Sequence, residues 1–204
     1  MEDYVAYLSK EITDKDNLKR IREEAKQYYE THSLEESYEM IFKLYQSEYF
    51  QVQEVGVFLC GYVAFYKPEL LEFLESTVSQ HESWKVQEIL AMAFDTYCSL
   101  IGYKTALPII KKWIINPQPN VRRAVSEGLR IWTSRDYFRE NPSIAIELLS
   151  SRKEDPSEYV RKSIGNALKD ISKKYPELIR NEIENWDCSS KEVAQVYKLA
   201  SKFL

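Results

Sequence analysis

Apolar residues recur three and four positions apart along nearly the whole chain, and the strongest regularity is fourfold. Val52-Gln53-Glu54, Val86-Gln87-Glu88, Val121-Arg122-Arg123 and Val160-Arg161-Lys162 each open a helical pattern of about 15 residues. The four valines are 34, 35 and 39 residues apart, the period of stacked helix pairs. Each first helix ends at a break: Lys67-Pro68, Ile101-Gly102, Asn141-Pro142 and Tyr175-Pro176. Proline fits the first turn of a helix and not its interior, so these breaks mark helix boundaries. The expected pairs are 51–66 with 69–79, 85–99 with 103–115, 120–134 with 143–151, and 157–174 with 176–186. Ser83, Asn120 and Ser157 are the expected caps of three first helices. Ser33 and Glu36 have capping-box spacing and open a helix to about Gln46. Further helices are expected over 2–10, 16–30 and about 190–203, and no segment reads as strand.

Counted from each valine, positions +2, +6 and +10 share one helix face. That column holds Glu54, Phe58 and Tyr62, then Glu88, Met92 and Thr96, then Arg123, Glu127 and Ile131, and finally Lys162, Asn166 and Asp170. Ile89, Ala91, Val125, Leu129, Ile164 and Leu168 lie on the other side and supply the expected core. Equivalent positions of stacked repeats align into one strip, so a charged and polar strip is expected along the stack. The fold expected is all-α, a right-handed α-α superhelix of HEAT-like repeats forming a single domain over 1–204. Its repeats fall at about 51–80, 85–116, 120–152 and 157–187, preceded by helices within 2–48.

Composition narrows the chemistry. With five glycines the chain has few positions suited to tight hairpins, which argues against a strand-rich fold. Cys60, Cys98 and Cys188 are odd in number and form no CxxC, and His32 and His81 are the whole histidine complement. Neither a disulfide framework nor a zinc site is indicated, and the thiols are expected in or near the core. No phosphate-binding glycine loop is present, and no cofactor or metal is called for. No apolar run approaches the length of a membrane span, and the opening MEDYVAYLSKEITDKD lacks the pattern of a signal peptide, so a cytoplasmic protein is expected. The net charge is −4, yet residues 101–180 carry 16 Lys/Arg against nine Asp/Glu. A basic half on an acidic chain points to a polyanion met on one surface.

The segments Trp84-Lys-Val-Gln-Glu88, VRRAVSEG (121–128), DPSEYVRKSIGN (155–166) and KDISKKYP (169–176) resemble the AlkD/AlkC DNA alkylation repair superfamily. Gln53-Glu-Val-Gly-Val-Phe58 is similar to its early repeat. The likeness covers about residues 50–180, and its motifs look closest to the AlkC branch, although the chain lacks the C-terminal immunoglobulin-like domain of that branch. The resemblance implies a DNA glycosylase that hydrolyses the N-glycosidic bond of cationic N3- or N7-alkylated purines in double-stranded DNA without taking the base into a pocket. It also implies site residues. Trp84 and Glu88 match the family's Trp and acidic residue one turn apart, Arg123 its phosphate-holding Arg, Glu127 its AlkC-type carboxylate, and Asp170 an acidic residue of the last repeat. Trp132 matches an aromatic after SEG, while Asn166 stands where AlkD-type enzymes carry a second aromatic. Arg122, Arg161 and Lys162 complete the expected DNA contacts, with Lys111, Lys112, Lys173 and Lys174 in the same basic cluster.

The chemistry suits these residue types. A cationic purine leaves readily, and the positive charge that develops on the sugar can be stabilised by a carboxylate, which can also activate water. An indole can meet a cationic nucleotide through its π face. Two other readings stay open: a module that binds distorted or branched DNA without chemistry, and a protein–protein scaffold. A monomer is expected.

Overall fold

A computed structural model describes residues 3–13 and 17–204, and every regular element among them is helical. Glu2 and Asp16, at the starts of two expected helices, lie outside the described residues. The chain packs as two compact units, one ending at Ile101 and the other beginning at Gly102.

The first unit contains α1 (Tyr4–Glu11), α2 (Leu18–Thr31), α3 (Leu34–Tyr45), α4 (Phe50–Val63), α5 (Leu70–Ser76), a 3₁₀ turn (Val78–Gln80) and α6 (Trp84–Ile101). α4 is its centre, with α2, α3 and α6 packed around it. The capping box forms as expected: Glu36 N–H donates to Ser33 Oγ at 3.2 Å and Ser33 N–H to Glu36 Oε2 at 2.9 Å. Gly61 lets α4 and α6 meet closely, since a Cβ there would lie 2.6 Å from the carbonyl oxygen of Ala93.

The second unit contains α7 (Tyr103–Ile114), α8 (Pro119–Trp132), α9 (Asp136–Glu140), α10 (Pro142–Ser150), α11 (Glu158–Ser172), α12 (Pro176–Ile183) and α13 (Lys191–Ala200). Here α11 is central, packed between α8 and α13. Pro119, Pro142 and Pro176 each stand in a first helical turn. Gly102, at a φ of 83°, precedes α7. The short α9 was not expected, because its five residues hold too little pattern to separate from the preceding helix.

All four repeat valines are completely buried. The position after each valine has one structural role. Gln53 donates to the carbonyl of Ser47 (2.8 Å), Gln87 to that of His81 (2.5 Å), Arg122 to that of Asn116 (2.7 Å) and Arg161 to that of Asp155 (2.6 Å). In every case the acceptor lies six residues earlier, in the loop that enters the helix. The side chain of the accepting residue is fixed as well, taking the N–H two residues on. Ser47 Oγ accepts from Tyr49, His81 Nδ1 from Ser83, Asn116 Oδ1 from Gln118 and Asp155 Oδ1 from Ser157, at 2.8–3.2 Å. These are Asx-type turns tied down by a side chain from the following helix.

This arrangement corrects two cap expectations. Ser157 is held through its N–H and makes no side-chain cap bond. Asn120 lies inside the first turn of α8, because Pro119 starts that helix one residue sooner. Cys188 is exposed while Cys60 and Cys98 are buried.

Asp155 joins two of these turns. It is 1% exposed and takes a two-pronged bond from Arg122, itself 4% exposed, at 2.7 Å to each oxygen. Arg152 adds a bond at 2.8 Å. Burial pushes the Asp155 carboxyl up, but the bonds from Arg122, the Ser157 N–H and Arg152 outweigh it and hold the group below the usual carboxylate range. Removing one partner of such a buried pair costs about 3–5 kcal/mol. Arg122→Met is therefore expected to lower the urea unfolding midpoint strongly at pH 7. A carboxyl depressed in the fold contributes stability above its unfolded value of about 3.9, and loses it as pH falls through the folded value. The gap between wild type and Arg122→Met should accordingly narrow below about pH 4, and a variant as stable as wild type at pH 7 contradicts the assignment.

Candidate nucleic-acid interface

α8 and α11 lie side by side, and the residues they present form a ladder of charges. α8 contributes Arg123, Glu127 and Arg130, α11 contributes Tyr159, Lys162, Ser163, Asn166 and Asp170, and Lys173 follows at its C-cap. The Arg123 guanidinium sits over the Tyr159 ring, 5.1 Å from its centroid, and Tyr159 is 65% exposed. Such a stack holds a guanidinium flat against the ring. Ser163 Oγ donates to Glu127 Oε1 at 2.7 Å. Arg130 Nη1 approaches Glu127 Oε2 at 3.6 Å, beyond hydrogen-bond range, and its Nε donates to Asp170 Oδ2 at 2.5 Å. Lys173 takes the other Asp170 oxygen at 2.7 Å.

The two carboxylates of this ladder thus differ. Burial pushes the Asp170 carboxyl up, but bonds from Lys173 and Arg130 prevail and place it below the ordinary range. Its charge is neutralised by two cations, so it serves to anchor Arg130. Glu127 has one hydroxyl bond and a loose ion pair, with about a third of its side chain exposed. Of the two, Glu127 is the carboxylate available to another molecule.

The other expected site residues are distributed as follows. Lys162 is exposed and paired with Glu158 at 2.7 Å. Asn166 accepts from Lys169 at 2.8 Å. Trp84, in the first unit, is 62% exposed at the start of α6, and Glu88 is half-buried one turn later. Three expectations are corrected. Trp132 is fully buried, with the rings of Tyr103 and Phe138 5.2 and 5.9 Å away. Its indole lies over Gly128, where a Cβ would come within 2.3 Å of the ring, so the glycine of SEG makes room for a core tryptophan. Arg122 and Arg161 are buried too, being the turn clamps described above. The first row of the expected polar strip also departs, since Glu54 and Phe58 are buried.

Arg130, Tyr159 and Ser163 were missed. They fall outside the +2/+6/+10 column and become visible when α8 and α11 are set against each other. Neither of two described clefts is lined by Glu127. One, of about 610 Å³, lies in the first unit beside Tyr45, Phe50 and His81, and one of about 370 Å³ lies in the second beside Arg180, Tyr197 and Leu204. Among the described residues no group of three or more His, Cys, Asp or Glu is placed to hold a metal, and no helix is long and apolar enough to cross a membrane.

The fold is that of a helical-repeat protein, with a ladder of charges across two adjacent helices, α8 and α11. The sequence profile of the DNA alkylation repair enzymes matches residues 17–199, and the chain belongs to that family. The crystal structure of AlkD2 from Streptococcus mutans is 49% identical, covers 98% of this chain and 97% of its own, and superposes with a TM-score of 0.95. AlkC from Pseudomonas fluorescens, solved bound to DNA containing an abasic site analogue, is 20% identical over 90% of this chain and 60% of its own, with a TM-score of 0.50, and shares the fold. Whole-chain likeness is thus greater to AlkD2, although the VRRAVSEG segment looked closest to AlkC. An uncharacterised protein of Bacillus subtilis strain 168, YhaZ, is 34% identical over 91 residues, 43% of this chain, and the match spans about a quarter (26%) of that relative's length.

Because Asp170 is held down by two cations, removing one should release it. Arg130→Ala is expected to move the Asp170 carboxyl titration upward toward the ordinary range, followed through its side-chain carbon by NMR. An unmoved titration shows that Arg130 does not govern this carboxylate.

Proposed function

We propose that this chain is a DNA glycosylase that excises cationic N3- or N7-alkylated purines from double-stranded DNA. The observation that carries this is an available carboxylate set among cations on the basic unit of the chain. From residue 102 onward there are 19 Lys/Arg against 13 Asp/Glu, and before it nine against 19. A polyanion would be drawn to the second unit, where Glu127 stands between Arg123 and Arg130.

In this reading Arg123, steadied on Tyr159, and Lys162 hold backbone phosphates and fix the lesion. Glu127 faces the sugar of the damaged nucleotide, where it stabilises the positive charge that develops as the glycosidic bond lengthens and receives a proton from the attacking water. The leaving purine is already cationic and departs neutral, so no acid need protonate it. Asp170 positions Arg130. In the first unit, Trp84 is proposed to contact DNA through its indole face, with the Glu88 carboxylate one turn further along α6. AlkC was solved with DNA carrying an abasic analogue, which has the form of the product of such excision.

A second reading, DNA binding without excision, is favoured by Asn166, which holds Lys169 where a stacking aromatic would otherwise stand. One assay separates them. Wild type is expected to release N3- and N7-methylated purines from methylated duplex DNA, and Glu127→Gln to slow release by about 10²-fold or more while binding the duplex normally. Duplex binding with no release by wild type selects the second reading, and release unchanged in Glu127→Gln removes Glu127 from the mechanism.

A further inference from the structure

The hydroxyls beneath Glu127 form a continuous line. Ser126 Oγ lies 3.0 Å from the carbonyl of Arg123, Ser126 Oγ and Ser163 Oγ are 2.7 Å apart, and Ser163 Oγ is 2.7 Å from Glu127 Oε1. Ser126 and Ser163 are both buried. Three short contacts are closed by four oxygens, of which one, the carbonyl, cannot donate. Each serine has a single proton. When Glu127 is ionised it can only accept, so Ser163 donates to it, Ser126 donates to Ser163, and the Arg123 carbonyl contact carries no proton. When Glu127 is protonated the line can reverse. Glu127 then donates to Ser163, Ser163 to Ser126, and Ser126 to the Arg123 carbonyl.

We infer that Ser126 and Ser163 form a reversible hydrogen-bond chain that holds the Glu127 carboxyl in one position in both of its protonation states. This rests on the reading of Glu127 as the base of the reaction, and makes Ser163 and Ser126 positioning residues. In the step served, the water oxygen bonds to the sugar carbon as the carbon–nitrogen bond breaks. The bonding pair stays with the purine, which becomes neutral, and one water proton passes to Glu127. The two serines then reverse their donors without moving an oxygen. The carboxylic acid later loses its proton to solvent and the line resets.

The other charges around Glu127 are few. Among the described residues Arg130, on its own helix, is in ion-pair reach, with Arg123 one turn away on the same helix. On α11, Lys162 is held by Glu158 and Asp170 is held by Arg130 and Lys173. α7 and α10 also pack on α8, and the ion pair described for Glu127 is the one with Arg130. A serine substitution therefore alters the hydrogen-bond line and leaves the charges in place.

The two serines should act in opposite directions. Ser163→Ala removes a bond to the ionised carboxylate that is stronger than the bond it also removes from the neutral acid, so the neutral acid is favoured and the Glu127 titration rises. Ser126→Ala leaves the buried Ser163 hydroxyl without an acceptor once Glu127 is protonated, a larger loss than the donor it removes from Ser163 in the ionised state, so the neutral acid is disfavoured and the titration falls. Ser163→Thr keeps the hydroxyl and should restore the wild-type value. The titration is read by NMR on the free full-length protein with carbon-labelled glutamate, so it does not depend on base release. Opposite shifts with rescue by threonine support the chain, and shifts of one sign, or none, overturn it. In the excision assay Ser163→Ala should lower kcat about 10-fold with unchanged duplex affinity, and the acid limb of its pH–rate profile should move upward. Opposite NMR shifts in a protein that releases no base keep the hydrogen-bond chain and remove the glycosylase reading.

Discussion

The fold depends on one repeated interaction: a side chain early in a helix reaching back to the carbonyl six residues before it. That bond closes the loop entering each of α4, α6, α8 and α11, and the accepting residue's own side chain ties the N–H two positions on. A buried loop carbonyl needs such a partner, because water cannot reach it. Once the loop is fixed, so is the rotation of the helix that follows. The valine faces inward and the clamp lies along the loop; the next residue is carried towards the surface in α6, α8 and α11, whereas in α4 that residue, Glu54, is buried. The same turn recurs before α13, where Asp187 accepts from the Ser189 N–H at 2.9 Å.

The second unit strengthens this device with charge. Glutamine serves as the clamp in the first unit and arginine in the second, and the extra donors of Arg122 and Arg161 reach onward to Asp155 and Gln195 in the next repeat. Adjacent repeats are thereby bonded to each other as well as packed. The cation at each clamp is used internally, and its neighbour in sequence, Arg123 or Lys162, supplies the surface charge. The same division applies to the carboxylates. Asp155 and Asp170 are held by two arginines or by an arginine and a lysine, whereas Glu127 takes one hydroxyl bond from Ser163 and a loose ion pair from Arg130.

Helices were legible in the sequence because prolines and the valine period mark them directly. The role of the position after each valine was not, since Gln, Gln, Arg and Arg do one job with different chemistry and the acceptors are Ser, His, Asn and Asp. Read alone, VRR offers two equivalent arginines, and only the loop six residues back distinguishes them. Trp132 was placed on the surface by its motif, yet Gly128 one turn earlier is the space its indole fills. Glu127, Arg123 and Asp170 fall on the +2/+6/+10 face of single helices, which a count along one helix shows. Ser163, Tyr159 and Arg130 act across the α8–α11 contact, and a pattern measured within one helix does not show them.

On the proposed reading, neighbouring arginines of one motif divide into a builder and a binder, and the salt dependence of duplex affinity separates the two roles. Each phosphate contact adds about one to the slope of log K against log salt. Arg123→Ala is expected to lower that slope by about one with unfolding unchanged, and Arg122→Gln to leave the slope intact while lowering stability. A lowered slope in Arg122→Gln with none in Arg123→Ala would contradict that division.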